Sequence, residues 1–65
     1  MNVTDTMRKM RTGEVVVFEA CHLGAVKAAK TRLRAAYIVD KADWAIGEQN
    51  PTTGQFKVQR ITRLD

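Results

Sequence analysis

The hydrophobic pattern changes period along the chain, and each change predicts an element. Residues 14–20, EVVVFEA, hold three consecutive valines and a phenylalanine, a β-branched and aromatic run that suits a strand. Residues 21–24, CHLG, form a connection, with Gly24 as an acceptable N-cap. From 25 to 38 the spacing becomes helical: Val26, Ala29, Leu33, Ala36 and Tyr37 recur at steps of three and four and line one core-facing side. The β-branched pair Ile38-Val39 and the polar DKAD that follows end that helix. Two further strands, 43–49 and 55–64, flank NPTTG, where Asn50-Pro51 starts a turn and Gly54 supplies the positive φ that leaves it. The first 12 residues read either as one or two helical turns, capped by Thr4 or Asp5 and closed by Gly13, or as a disordered basic arm.

The predicted architecture is a single α+β domain over residues 1–65 in the order β-α-β-β. A three-stranded, mainly antiparallel sheet carries one long helix on one face. The last strand is the longest and is expected in the middle, antiparallel to both neighbours. The core is expected to join Val26, Leu33 and Tyr37 to Phe56, Val58 and part of 15–18. With 65 residues, 45% hydrophobic and 28% charged, the chain is apolar enough to fold but supports only one compact core.

Charge and cysteine usage narrow the function. Eleven Lys and Arg against seven Asp and Glu leave a net charge of +4, which favours an anionic partner. The bland alternative is that this charge only keeps a small protein soluble. One cysteine, Cys21, allows no internal disulfide, and no apolar run comes near the length of a membrane span, so a soluble cytoplasmic protein is expected. Cys21 itself reads as a small buried residue.

Little in the chain suggests catalysis or a cofactor. It contains no serine, and adjacent Cys21 and His22 point in different directions, which is awkward for a nucleophile and its base. One Cys and one His do not make a zinc site, and the four glycines are scattered at turn-like positions rather than gathered in a phosphate loop. Asp40 and Asp43 read as loop-solvating acids. The expectation is therefore a non-enzyme without metal, cofactor, small-molecule substrate or membrane association.

The positive signal is GAVKAAKTRLRAA, residues 24–36, in which four cations have no acidic residue among them. On a helix Lys27, Lys30, Thr31 and Arg34 share one stripe beside the core face, while Arg32 lies on the opposite flank. The stripe is either a solvated face with snorkelling side chains or a contact for phosphates, which would relieve the repulsion of like charges. A second signal lies in the last strand. If Phe56 and Val58 face the helix, then Lys57, Gln59, Ile61 and Arg63 occupy the open face, and Lys, Gln and Arg are types that read phosphates and base edges. Polar cover of an exposed sheet explains them equally well. Arg8, Lys9 and Arg11 would let a flexible arm reach an adjacent groove. Trp44 reads as a core or rim residue, and with only four aromatics the chain is a poor single-strand stacking platform.

The stretches GEVVVFEA, GAVKAAKTRL and FKVQRITRL resemble small basic proteins, mostly uncharacterised, encoded by bacterial phages and mobile elements. The similarity runs from Gly13 to Leu64. It implies a DNA-binding accessory role and supplies no site residue. The expected function is nucleic-acid binding, with duplex DNA favoured over RNA, through Lys27, Lys30, Thr31 and Arg34, with Lys57, Gln59 and Arg63 and with Arg8, Lys9 and Arg11. The alternative is a protein-interaction module that docks on an acidic partner or pairs through a sheet edge, and a homodimer is compatible with either.

Overall fold

A computed structural model describes residues 2–64 of the chain. Its elements are α1 (Val3–Lys9), β1 (Val15–Phe18), a 3₁₀ turn (Ala20–His22), α2 (Leu23–Ala36), β2 (Ala42–Ile46) and β3 (Phe56–Thr62). The sheet order is β1-β3-β2 with both pairings antiparallel, so the last strand is central as expected. A long central strand satisfies its backbone groups on both sides, which the seven residues of β3 permit and the four of β1 do not.

The N-terminus is a helix and not a free arm. The Asn2 side chain, rather than Thr4 or Asp5, caps it by accepting a 3.0 Å bond from the Asp5 amide. Asp5 in the first turn and Arg8 and Lys9 in the last match the helix dipole. Met10, not Gly13, is the C-cap. Gly13 instead turns the chain into β1 at φ 89°, and its amide donates to the Arg60 carbonyl at 2.6 Å.

Helix α2 starts two residues before the expected Ala25 and stops two before Ile38. The 3₁₀ turn runs straight into it, so His22 and not Gly24 stands at the cap, without a side-chain cap bond. Its last bond is Tyr37 N–H to the Leu33 carbonyl at 2.9 Å, after which Tyr37 leaves helical geometry. The three strands are shorter than their sequence signals. Ala20 joins the 3₁₀ turn instead of β1, while β2 ends at Ile46 and β3 begins at Phe56. Between them and the 50–54 turn, the Gly47 amide donates to the Lys57 carbonyl at 2.8 Å and the Asn50 amide to the Gln55 carbonyl at 2.7 Å. That turn forms as expected: Asn50 Oδ1 accepts from the Thr52 and Thr53 amides at 2.8 and 3.2 Å, and Gly54 closes it at φ 77°.

Strand alternation sorts the side chains. Val16, Phe18, Phe56, Val58, Trp44, Ala42 and Ile46 share the covered face, since the register sets Phe18 against Phe56, Val16 against Val58 and Ile46 against Val58. The Phe18 and Phe56 rings stack at 6.0 Å. From α2 the core receives Val26, Ala29 and Leu33. Tyr37, expected there, is 37% exposed, and Ala36 is exposed as well. Helix α1 supplies what they do not: Val3 and Met7, with Met10 just beyond, complete the cluster. Trp44 is 1% exposed, and its indole N–H donates to the Met7 carbonyl at 3.0 Å, tying β2 to the last turn of α1. Cys21 is exposed, contrary to the default for a free cysteine, because the 3₁₀ turn that carries it has no buried residue. No helix among the described residues is long and apolar enough to cross a membrane.

Candidate nucleic-acid interface

Helix α2 carries the cationic stripe on the flank of its buried face. Lys27 is exposed, Lys30 and Arg34 are half-buried, and the Thr31 hydroxyl donates to the Lys27 carbonyl one turn back at 3.3 Å. The helical rise spreads Lys27 to Arg34 over about 10 Å. The counter-charge absent from residues 24–36 comes from β2. Asp43 Oδ1 lies 3.9 Å from Lys30 Nζ and 3.5 Å from Arg34 Nε. Asp43 is therefore no loop-solvating acid: its side chain is 15% exposed, and the same oxygen accepts the Trp44 amide at 2.8 Å. Strand alternation in Ala42-Asp43-Trp44 signals that Asp43 faces away from the core, but which helix it meets is a matter of tertiary packing.

The end of β3 meets this stripe. Thr31, Arg34, Ala35 and Ile38 on one side and Arg63 on the other line an open depression of about 250 Å³. The structure thus brings together Thr31, Arg34 and Arg63, three residues drawn from two separate sequence signals. Lys27 and Lys30 continue the stripe on the same helix. Ala35 also lines the depression, where its small side chain between the cations is of the kind that lets a backbone approach, while Ile38, which marks the helix end, carries no binding signal in the sequence. Two guanidinium atoms here, Arg34 Nε and Arg63 Nε, are shielded from solvent and have no hydrogen-bond acceptor among the described residues.

Lys57 and Gln59 lie further along the open sheet face, about 20 Å from Arg63 at the Lys57 end by strand rise. Both are exposed, with Val17 opposite Lys57 and Val15 opposite Gln59. Gln59 Nε2 reaches the Gly13 carbonyl at 3.4 Å, so its amide partly covers the turn that enters β1. Val15 and Val17 are each about half exposed, which makes this face more apolar than polar readout would need.

The third basic group sits elsewhere. Arg8 and Lys9 both pair with Asp5, the Lys9 ammonium at 3.0 Å, and Lys9 and then Arg8 hold the Asp5 carboxyl below its ordinary range. Arg8 lines a second depression with Met10, Tyr37, Ala42, Trp44 and Arg60, on the covered side of β3. Alternation gives Arg60 a strand face and nothing more. In the fold it lies 5.2 Å above the Trp44 ring and donates to the Ile61 carbonyl. Arg11 follows α1, its amide bound by Glu14 Oε1 at 3.1 Å. With α1 docked, Arg8 and Lys9 are fixed to the body of the domain and are not carried on a flexible arm.

Among the described residues no group of three or more His, Cys, Asp or Glu side chains gathers to hold a metal ion. In comparisons with known proteins the chain matches no family model, no curated protein and no solved structure.

Proposed function

We propose that the protein binds nucleic acid, with duplex DNA as the favoured form, through phosphate contacts from the α2 stripe and Arg63. The observation that carries this reading is the meeting of the α2 stripe with Arg63: Lys30 and Arg34 share the single carboxylate of Asp43, and Arg34 and Arg63 line one depression. Three cations against one anion leave a surplus of positive charge on a surface that Ala35 keeps low enough for a backbone to approach. Burial of the aromatic rings favours a duplex over a single strand. Phe18, Phe56 and Trp44 are each 1% exposed, so of the four aromatics only Tyr37 offers any face for base stacking. The longest dimension, 37 Å, limits one copy to about one duplex turn of 34–36 Å. The resemblance to basic proteins of phages and mobile elements is consistent with an accessory role of this kind, in the cytoplasm.

The test compares duplex binding by the parent, a Lys27/Lys30/Arg34→Gln triple variant and Arg32→Gln. Removing one phosphate-binding cation should weaken binding to every sequence alike and flatten the salt slope by about one unit. The triple variant is expected to lose most of its affinity and Arg32→Gln little of it. Equal binding by all three at every salt concentration would make the stripe a solvated face.

A second reading is favoured by one feature. Strand β1 is an edge whose hydrogen-bonded neighbour is β3 alone, and Val15 and Val17 stand half exposed on it. Natural edges are commonly blunted by charge or proline, and VVVF has neither. If the stripe fails the test above, strand addition at β1 by a protein partner takes the lead.

A further inference from the structure

We infer that the depression between α2 and Arg63 is a discrete phosphate site, and that it fixes where a phosphate group sits rather than merely adding charge. The inference rests on the nucleic-acid reading and gives it one anchoring position. Its basis is a mismatch between donors and acceptors. A guanidinium presents five N–H donors in a planar fork. Arg34 Nε and Arg63 Nε are both sheltered from solvent, and neither has an acceptor among the described residues. A sheltered donor without a partner is costly in a native structure, and the Arg34 side chain is otherwise 42% exposed, so an anion can reach the rest of its guanidinium.

Asp43 does not discharge that demand. Its Oδ1 is 3.5 Å from Arg34 Nε without making a hydrogen bond, it is shared with Lys30 at 3.9 Å, and it already accepts the Trp44 amide. It is shared between Lys30 and Arg34 and leaves Arg34 Nε and Arg63 Nε without an acceptor. Arg63 is held in place from its backbone, whose amide donates to the Lys41 carbonyl at 2.8 Å. Arg34 is held by the helix. The Thr31 hydroxyl is turned onto the Lys27 carbonyl, so Thr31 acts as wall, with Ala35 and Ile38, and the two arginines are the donors. A tetrahedral oxyanion suits two forks approaching from different elements, because its oxygens can accept from both at once. A planar carboxylate offers one edge and would engage one fork well.

The group that fits is a phosphate, free or as part of a nucleic-acid backbone, and two arms of one experiment separate the sources. Inorganic phosphate is titrated into the full chain at constant ionic strength, with chloride as the matched control, while backbone amides are followed by NMR. A short duplex is titrated in parallel. The expected result is saturable shifts confined to Thr31, Arg34, Ala35, Ile38 and Arg63 with phosphate, and movement of the same amides with the duplex. Arg63→Gln and Arg34→Gln should each weaken phosphate binding about tenfold or more, as loss of a hydrogen bond to a charged group does. Arg32→Gln should leave it unchanged, and the thermal melt of each variant checks that it is folded. Saturable phosphate shifts without duplex binding would support the site while removing the nucleic-acid reading. Duplex binding with these amides silent in both arms would overturn the site and leave that reading standing. Linear shifts spread over Lys27, Arg32 and Lys57 alike would show only screening and also overturn it.

Discussion

At the scale of single residues, Asp43 decides how basic the helix stripe is. It is the one carboxylate within 4 Å of Lys30 and Arg34 among the described residues, and its burial makes it a fixed counter-ion. Its fold-stabilising share is modest, since partly exposed ion pairs contribute about 0–1 kcal/mol. Its cost to anion binding is of similar size and opposite sign. A unit charge about 4 Å away in high dielectric is worth about 1 kcal/mol, or about fivefold in affinity. Asp43→Asn keeps an acceptor for the Trp44 amide, raises the net charge from +4 to +5, and should therefore strengthen duplex binding about fivefold at low salt. Fluorescence anisotropy against a labelled duplex checks this, and a loss of affinity on removing the acid would contradict the site. Such a gain distinguishes a binding surface from a structural ion pair, for which the substitution could only be neutral or harmful.

At the scale of elements, two glycines test the local geometry in opposite directions. Gly24 lies inside α2 with open space around it, so Gly24→Ala should stabilise by about 0.5–1 kcal/mol through helix propensity. Gly54 sits at φ 77°, and an added Cβ would lie 2.7 Å from the Ala20 Cβ, so Gly54→Ala should destabilise by about 1–3 kcal/mol. Urea melts of the two variants read both signs, and a Gly24→Ala that destabilises would mean His22 does not begin the helix. The same elements show what the chain made legible. Asn50 and Gly54 announce their turn because side-chain acceptor and positive φ are local chemistry. The central place of β3 followed from its length, and the covered set Phe56 and Val58 followed from strand alternation. Helix α1 was harder to read, because seven residues with two buried side chains give a weak period and depend on the Trp44 indole for docking. Tyr37 misled because helical spacing continues through it while the backbone does not. The Asp43 partnership, and the meeting of Arg63 with α2, join elements distant in the chain, and no local pattern encodes them.

At the scale of the whole molecule, the domain is small, and its core is one cluster of side chains drawn from α1, α2 and the three strands. Because α1 contributes Val3 and Met7 to that cluster, with Met10 at its C-cap, its cations are tied to the fold. The proposed phosphate contacts lie where α2 and Arg63 meet, so they depend on the folded chain. The direct measurement is the affinity of the parent for a short random-sequence duplex over a range of salt concentrations. With about four to six phosphates neutralised, log K should fall linearly with log salt at a slope of about −3.6 to −5.4. Absence of binding at low salt, or an affinity that does not change with salt, would contradict a phosphate-binding role.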